Sequence, residues 1–191
     1  MATKLTKPLG PKLVWDRARQ GREISLGSVR IVVAPEDAPP YRVDAVAAEE
    51  DTFLVLSSDV EVVQPREHPI RVTNRAFTTN PAKPGSVVVS GNNPIRLLAI
   101  VHDLSREPSW REEWVASALR EILLEVDRRN LQSLALPLLG TLHGSLEKRR
   151  FVSLLELALD GAAPGCLINL WLVSPPGSSF EILKMLEGKR A

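Results

Sequence analysis

The feature that most constrains the fold of this chain is an alternation of two kinds of segment in its second half. Apolar runs typical of buried strands cover residues 131–136 and 167–173, and segments with apolar residues at helical spacing precede and separate them. Strands that are apolar along their whole length are typical of parallel sheets with helices on both faces. The sequence therefore predicts an α/β fold, a three-layer α/β/α sandwich with a mixed, mainly parallel sheet.

Three helices are predicted in this half. The first carries an apolar stripe at Val115, Leu119, Ile122 and Val126, with Ala118 and Leu123 beside it, and ends near Arg128. The second covers about 146–159, turns Phe151, Leu154, Leu155 and Ala158 inward, and is stopped by Gly161. The third is short and closes with Gly188. Their predicted N-terminal signals are Ser109 with Glu112, then Ser145, then Ser178 with Glu181.

The first half contains shorter candidate strands separated by turns rich in proline and glycine. These strands are predicted at 29–33, 43–47, 52–56, 60–63, 70–73, 85–91 and 97–101. Residues 1–14 are expected to form a flexible arm, and residues 15–191 a single domain. The arm carries apolar residues, so it is a candidate contact surface for a protein partner or a second copy of the chain.

Charge and composition exclude several classes of function. A formal net charge of +1 gives no electrostatic argument for nucleic-acid binding. No apolar run is long enough for a membrane span, and the one cysteine, Cys166, allows no internal disulfide, so we expect a cytoplasmic protein. His68, His102 and His143 lack metal-ligand spacing, and neither a metal nor a cofactor is expected.

The segment 134–145 is the main candidate for ligand chemistry. It is an apolar strand followed by a loop containing Gly140 and Gly144 and then by a helix. Such loops bind phosphate through free backbone N–H groups and the positive end of the helix dipole. An ordinary connection between strand and helix is the alternative interpretation.

Three segments together resemble the macro domain family, whose members bind ADP-ribose and in some cases hydrolyse ADP-ribosyl bonds. Glu36-Asp37 followed by Val43–Val46 is similar to the family's GDIT segment and VDAIV strand. Residues 85–91 with 98–102 are similar to its G-x-x-x-x-T-x-G and VIH strands, and the loop is similar to its PALGTGxGG diphosphate loop. The resemblance implies that Asp37 receives the adenine amino group; by itself, Asp37 is equally well explained as a turn residue. The ligand-binding residues that it implies are Asp37, Leu139, Gly140, Thr141, Leu142, His143 and Gly144.

The chain departs from the family pattern at positions that would contact the ligand. Ala48 stands at the first asparagine of the family's NAAN and Asp51 at the second, and residues 52–70 contain no glycine. Leu142 occupies a glycine position, which would strain the loop if a positive φ were needed there. Glu49, Glu50 and Asp51 would repel a diphosphate, and we expect them to form a solvated acidic loop in which Glu49 and Glu50 point to opposite sides.

These departures favour binding over catalysis. We expect a divergent macro-like domain that binds ADP-ribose or a related nucleotide metabolite weakly, with no catalytic residue and no hydrolase activity. The alternative is a non-catalytic interaction or assembly protein that uses the arm and residues 52–73 as its contact surface. A third possibility is an ADP-ribosyl hydrolase whose acidic site is built from residues 49–51.

Overall fold

The computed structural model describes residues 23–56 and 80–188. Seven strands lie in this part of the chain: β1 (Glu23–Leu26), β2 (Val29–Pro35), β3 (Ala45–Asp51), β4 (Val87–Ser90), β5 (Ile95–His102), β6 (Ser133–Pro137) and β7 (Asn169–Ser174). Three helices accompany them: α1 (Glu112–Arg128), α2 (Lys148–Ala162) and α3 (Ser179–Glu187). The predicted strands 60–63 and 70–73 and the arm 1–14 lie outside the described residues.

All seven strands form one mixed sheet in the order β1-β2-β7-β6-β3-β5-β4. The five inner strands are parallel, and each edge strand is antiparallel to its neighbour. The predicted α/β class with a mixed, mainly parallel sheet is confirmed. The sheet places the carboxyl ends of five strands, and the loops that follow them, along one edge.

The three described helices pack on the same face of the sheet because their apolar stripes bury against alternate strand residues. The stripe predicted for α1 and the four inward residues predicted for α2 are all buried. Strand residues at every second position complete this core, among them Ile31, Val33, Leu134, Leu136, Leu170 and Leu172. On the opposite face, Trp171 packs with Ala34 and Ala135 and donates from Nε1 to the Ala34 carbonyl at 3.0 Å.

The helix starts differ from the predicted caps. Helix α1 begins at Glu112 with Arg111 at its N-cap, and α2 begins at Lys148 with Glu147 there, so neither Ser109 nor Ser145 caps a helix. Ser178 does hold the N-cap position of α3, but its Oγ accepts from Nζ of Lys148 at 3.1 Å and caps no backbone N–H.

The ends of several elements also differ from the prediction. Gly161 lies inside α2, and the helix ends at Ala162, followed by the C-cap residue Ala163 in the left-handed conformation at φ 40°. Residues 52–56, predicted as a strand, form a turn, and the strand before them extends to Asp51. Strand β1 was not predicted, because its four residues alternate between exposed and half-buried and form only a weak apolar pattern.

Within residues 23–56 and 80–188, no helix is long and apolar enough to cross a membrane.

Candidate functional site

The carboxyl ends of β3 and β6 form the centre of the candidate site. These two strands are neighbours in the sheet, but the chain leaves β3 toward β4 and β5 on one side and leaves β6 toward β7 on the other. In open α/β sheets, ligands bind at such a switch in strand order. Backbone pairing between the two strands joins only Ala45 with Leu134 and Val46 with Ala135, so it ends before their carboxyl ends.

The loop after β6 folds back tightly on itself. Gly140 has a φ of 77°, which favours glycine, and its carbonyl accepts from the N–H of Leu146 at 3.1 Å. Both the backbone N–H of Thr141 and its Oγ1 donate to the Leu138 carbonyl, at 3.1 and 2.7 Å. Gly144 lies so close to Gly140 and Trp110 that a β-carbon would clash with them. Gly140 and Gly144 are therefore needed for the tight turn of the backbone in this loop.

Glu49 reaches from β3 into this loop. Its Oε2 accepts from the Gly140 N–H at 2.8 Å, and its Oε1 is in direct contact with Nε2 of His102, the last residue of β5. The side chains of Glu49 and His102 are only 9% and 2% exposed. One carboxylate therefore connects the carboxyl ends of three strands.

Glu50 and Asp51 organise the turn that follows β3. Glu50 Oε1 accepts from the N–H groups of Asp51 and Leu56, and the Asp51 carboxylate accepts from those of Phe53, Val55 and Leu56, all at 2.6–3.0 Å. Both acidic residues are fully buried. The expected solvated acidic loop is wrong, because these carboxylates are internal acceptors for backbone donors.

The predicted site residues lie along this edge of the sheet. Leu142 and His143 are exposed at the tip of the loop after β6, and Leu142, 79% exposed, does not take a positive φ, so it adds no backbone strain. The His143 ring approaches the ring of His102 edge-on, with 6.1 Å between centroids. Asp37 is exposed in the turn after β2, and no described residue donates to its carboxylate.

Sequence reasoning missed Phe180, in the first turn of α3. Its side chain is 63% exposed, and the ammonium of Lys184 lies 4.5 Å from the ring centroid. Strands β2 and β7 pair Pro35 with Ser174, so Asp37 and Phe180 both follow the carboxyl ends of adjacent strands. The sequence could have indicated that Phe180 is exposed, because this residue falls outside the apolar stripe of Ile182, Leu183 and Leu186.

The opposite edge of the sheet carries an open groove of about 470 Å³. Its walls are mainly apolar and come from residues just before β3 and β5, namely Pro39, Tyr41, Arg42, Val43, Asn93 and Pro94. In the described part of the chain, no three histidine, cysteine or acidic side chains group in a way that could hold a metal ion.

Comparison with known proteins identifies the fold. Neither a family model nor a curated protein matches the sequence. Among solved structures, the macrodomain of Oceanobacillus iheyensis with ADP has a TM-score of 0.64 at 10% identity, over 88% of this chain and 95% of that one. The macrodomain of Thermus aquaticus DarG has a TM-score of 0.55 at 19% identity, over 76% and 98%.

A third structure, the Trypanosoma brucei macrodomain in complex with ADP-ribose, has a TM-score of 0.56 at 13% identity, over 84% of this chain and 69% of that one. Sequence identity this low supports a shared fold and leaves function to be argued from the site. The resemblance seen in the sequence is confirmed at the level of architecture: this chain has a macrodomain fold, at 10–19% sequence identity to these three structures.

Proposed function

We propose that this protein is a binding module for ADP-ribose or a related nucleotide, held at the carboxyl edge of the sheet and not hydrolysed. The observation that carries the proposal is the loop after β6. The backbone N–H groups of Leu142, His143 and Gly144 donate to no group in the described part of the chain. Free backbone N–H groups in a loop at this edge are suited to phosphate oxygens.

Two side chains support an adenine site beside β2 and β7. The Asp37 carboxylate is exposed and free to accept from an exocyclic amine. The exposed ring of Phe180 offers an apolar face for a base, and stacking of one base on an aromatic ring contributes about 1–3 kcal/mol. The solved relatives named above include one with ADP and one with ADP-ribose, and both ligands contain an adenine and a diphosphate.

The chemistry of residues 48–51 argues against hydrolysis. Ala48 has no side-chain hydrogen-bonding group, and Glu50 and Asp51 are fully buried and accept from backbone donors. A general acid or base must come within hydrogen-bond reach of the bond that reacts. We therefore propose that Glu50 and Asp51 are structural acceptors and that the third possibility, a relocated hydrolytic site, does not apply.

Calorimetric titration with ADP-ribose tests the binding proposal. We expect saturable binding, and we expect Asp37→Ala to weaken it by at least about tenfold, because a hydrogen bond to a charged group contributes about 1.5–3 kcal/mol. Asp160→Ala is the matched control, since Asp160 is an exposed aspartate on α2. Absence of binding at millimolar ADP-ribose would reject the proposal, and unchanged affinity in Asp37→Ala would reject the adenine assignment.

The absence of hydrolysis is tested separately. Incubation with an ADP-ribosylated protein is expected to release no more free ADP-ribose than buffer alone. Release above that background, lost in a variant with alanine at residues 49–51, would establish the acidic site that we argue against.

A second candidate function, protein assembly, is favoured by the exposed apolar side chains at the same edge. Val55, Leu104, Leu142 and Phe180 are 48–79% exposed and follow β3, β5, β6 and β7. Apolar groups that lie close together on a surface mark interaction sites. Sedimentation velocity over a range of concentrations tests this function. Association that is weakened by Leu142→Ser but not by Leu157→Ser, a control at an exposed position of α2, would support it. A monomer throughout would exclude self-assembly.

A further inference from the structure

The Glu49 carboxylate accepts a hydrogen bond from the loop after β6, the loop that the proposed function assigns to the diphosphate. Its Oε2 accepts from the Gly140 N–H at 2.8 Å, and this is the one carboxylate contact to that loop in the described residues. A carboxylate oxygen that accepts from a backbone N–H takes the position that a phosphate oxygen would need in order to accept from the same group.

The position of Glu49 is fixed from a second side. Its other oxygen contacts Nε2 of His102, whose ring is buried at the end of β5. Since the Glu49 side chain is only 9% exposed, water screens its charge less than it screens an exposed carboxylate. The carboxylate is therefore held in place at the loop, where a bound ligand would lie beside it.

The turn after β3 repeats the same arrangement. Its N–H groups at Phe53, Val55 and Leu56 are taken by Glu50 and Asp51. In both the loop after β6 and the turn after β3, carboxylates of this chain therefore accept from backbone N–H groups that an anionic ligand would need.

We infer that Glu49 is a specificity-determining residue: it takes the Gly140 N–H and so weakens the hold of the loop after β6 on a diphosphate, which the N–H groups of Leu142, His143 and Gly144 still receive, and the nucleoside part supplies most of the affinity. The inference rests on the proposed function. Adenosine presents a base and a ribose but no phosphate, whereas ADP-ribose must place a diphosphate near Glu49. The wild-type protein should therefore gain little affinity from the diphosphate, and the affinities for adenosine and ADP-ribose should agree within about tenfold.

Glu49→Gln tests this directly because glutamine keeps the shape and the acceptor for Gly140 N–H but removes the charge. Coulomb repulsion at close range in a partly buried site corresponds to about tenfold to hundredfold in affinity. We expect ADP-ribose to bind at least about tenfold more tightly to Glu49→Gln than to the wild type. Adenosine affinity should change by less than about twofold.

Glu147→Gln is the matched control. Glu147 is an exposed carboxylate at the N-cap of α2, close in sequence to the same loop, and its side chain bonds to no described residue. Its removal tests a general change of charge without touching Gly140. Glu49→Ala is the second variant, which also frees the Gly140 N–H, and circular dichroism confirms that each variant is folded.

The outcomes separate the two proposals. Tighter ADP-ribose binding in either Glu49 variant, with adenosine unchanged and Glu147→Gln like the wild type, supports the role of Glu49. Equal ADP-ribose affinity in wild type and folded Glu49 variants, while adenosine still binds, overturns that role and leaves the proposed function standing. Failure of both ligands to bind any variant overturns both.

Discussion

Gly144→Ala is the substitution whose effect the structure defines most sharply. A β-carbon on Gly144 would lie far inside van der Waals contact of the Gly140 carbonyl oxygen and 3.0 Å from Cδ2 of Trp110. The first obstacle is backbone, which cannot rotate away as a flexible side chain can. The loop after β6 must therefore open to admit one methyl group.

The cost follows from what that opening breaks. The Gly140 carbonyl is also the acceptor for Leu146 N–H at 3.1 Å, a bond that contributes about 1 kcal/mol, and overpacking of a closed site costs about 1–3 kcal/mol. Loss of glycine entropy in the unfolded chain offsets about 0.4–1 kcal/mol. We expect a net loss of about 1–3.5 kcal/mol in the free energy of unfolding, or about 2–14 °C in Tm for a chain of this size.

Urea denaturation and thermal unfolding of the purified full chain measure this loss. Gly161→Ala is the control, because Gly161 lies in α2, a β-carbon there would meet nothing within 4 Å, and alanine is favoured over glycine inside helices by about 0.5–1 kcal/mol. It should raise stability slightly. A Gly144→Ala protein within about 0.5 kcal/mol of wild type would refute the close return of the loop.

Three further substitutions have defined outcomes in urea denaturation. Burial raises the pKa of the Tyr41 hydroxyl above its usual 10.0, and that hydroxyl has no hydrogen-bond partner in the described structure. Because the tyrosine ionises at lower pH in the unfolded chain, the wild type loses stability as pH rises above about 10. The urea midpoint of Tyr41→Phe should therefore rise relative to that of the wild type between about pH 8 and about pH 10.5. An unchanged difference between the two midpoints would contradict this. Asp44→Ala removes the carboxylate that accepts from Ser133 N–H and Oγ, both at 2.9 Å, and should cost about 2 kcal/mol; a loss below about 0.5 kcal/mol would make the contact unimportant. Arg150→Ala removes an exposed ion pair with Glu112 and should leave the midpoint unchanged, so a clear loss would contradict our view of surface pairs.

Much of the fold could be predicted from the sequence because long periodic segments carry their own signal. The stripe of Val115, Leu119, Ile122 and Val126 is buried as predicted, since helical period alone decides which side faces the sheet. The apolar strands β6 and β7 were found for a similar reason, with shifts of one or two residues at their ends. The start of α1 was missed: the helix begins at Glu112, and Ser109 belongs to the preceding loop, where its carbonyl accepts from the Asp103 N–H.

The sequence predicted where the candidate site lies in the fold, but not which groups form hydrogen bonds there. The loop after β6 was located by Gly140 and Gly144 in the sequence. The bond from Glu49 to Gly140 joins residues 91 positions apart and depends on β3 and β6 becoming neighbours, which no local pattern specifies. Residues 52–56 have strand-like composition, but the buried Asp51 carboxylate draws their N–H groups into a turn.

The short pairing between β3 and β6 has a consequence for how the sheet opens. Its register holds two residue pairs, whereas β3 and β5 pair along the whole of β3. Asp44 at one end of β3 and Glu49 at the other bond to Ser133 and Gly140, so side chains close both ends of this seam. The sheet therefore has its shortest backbone pairing between two blocks, β1-β2-β7-β6 and β3-β5-β4, and carboxylates add to the few backbone bonds that join them. Partial unfolding should begin by separation of these blocks, with amide exchange fastest along the seam.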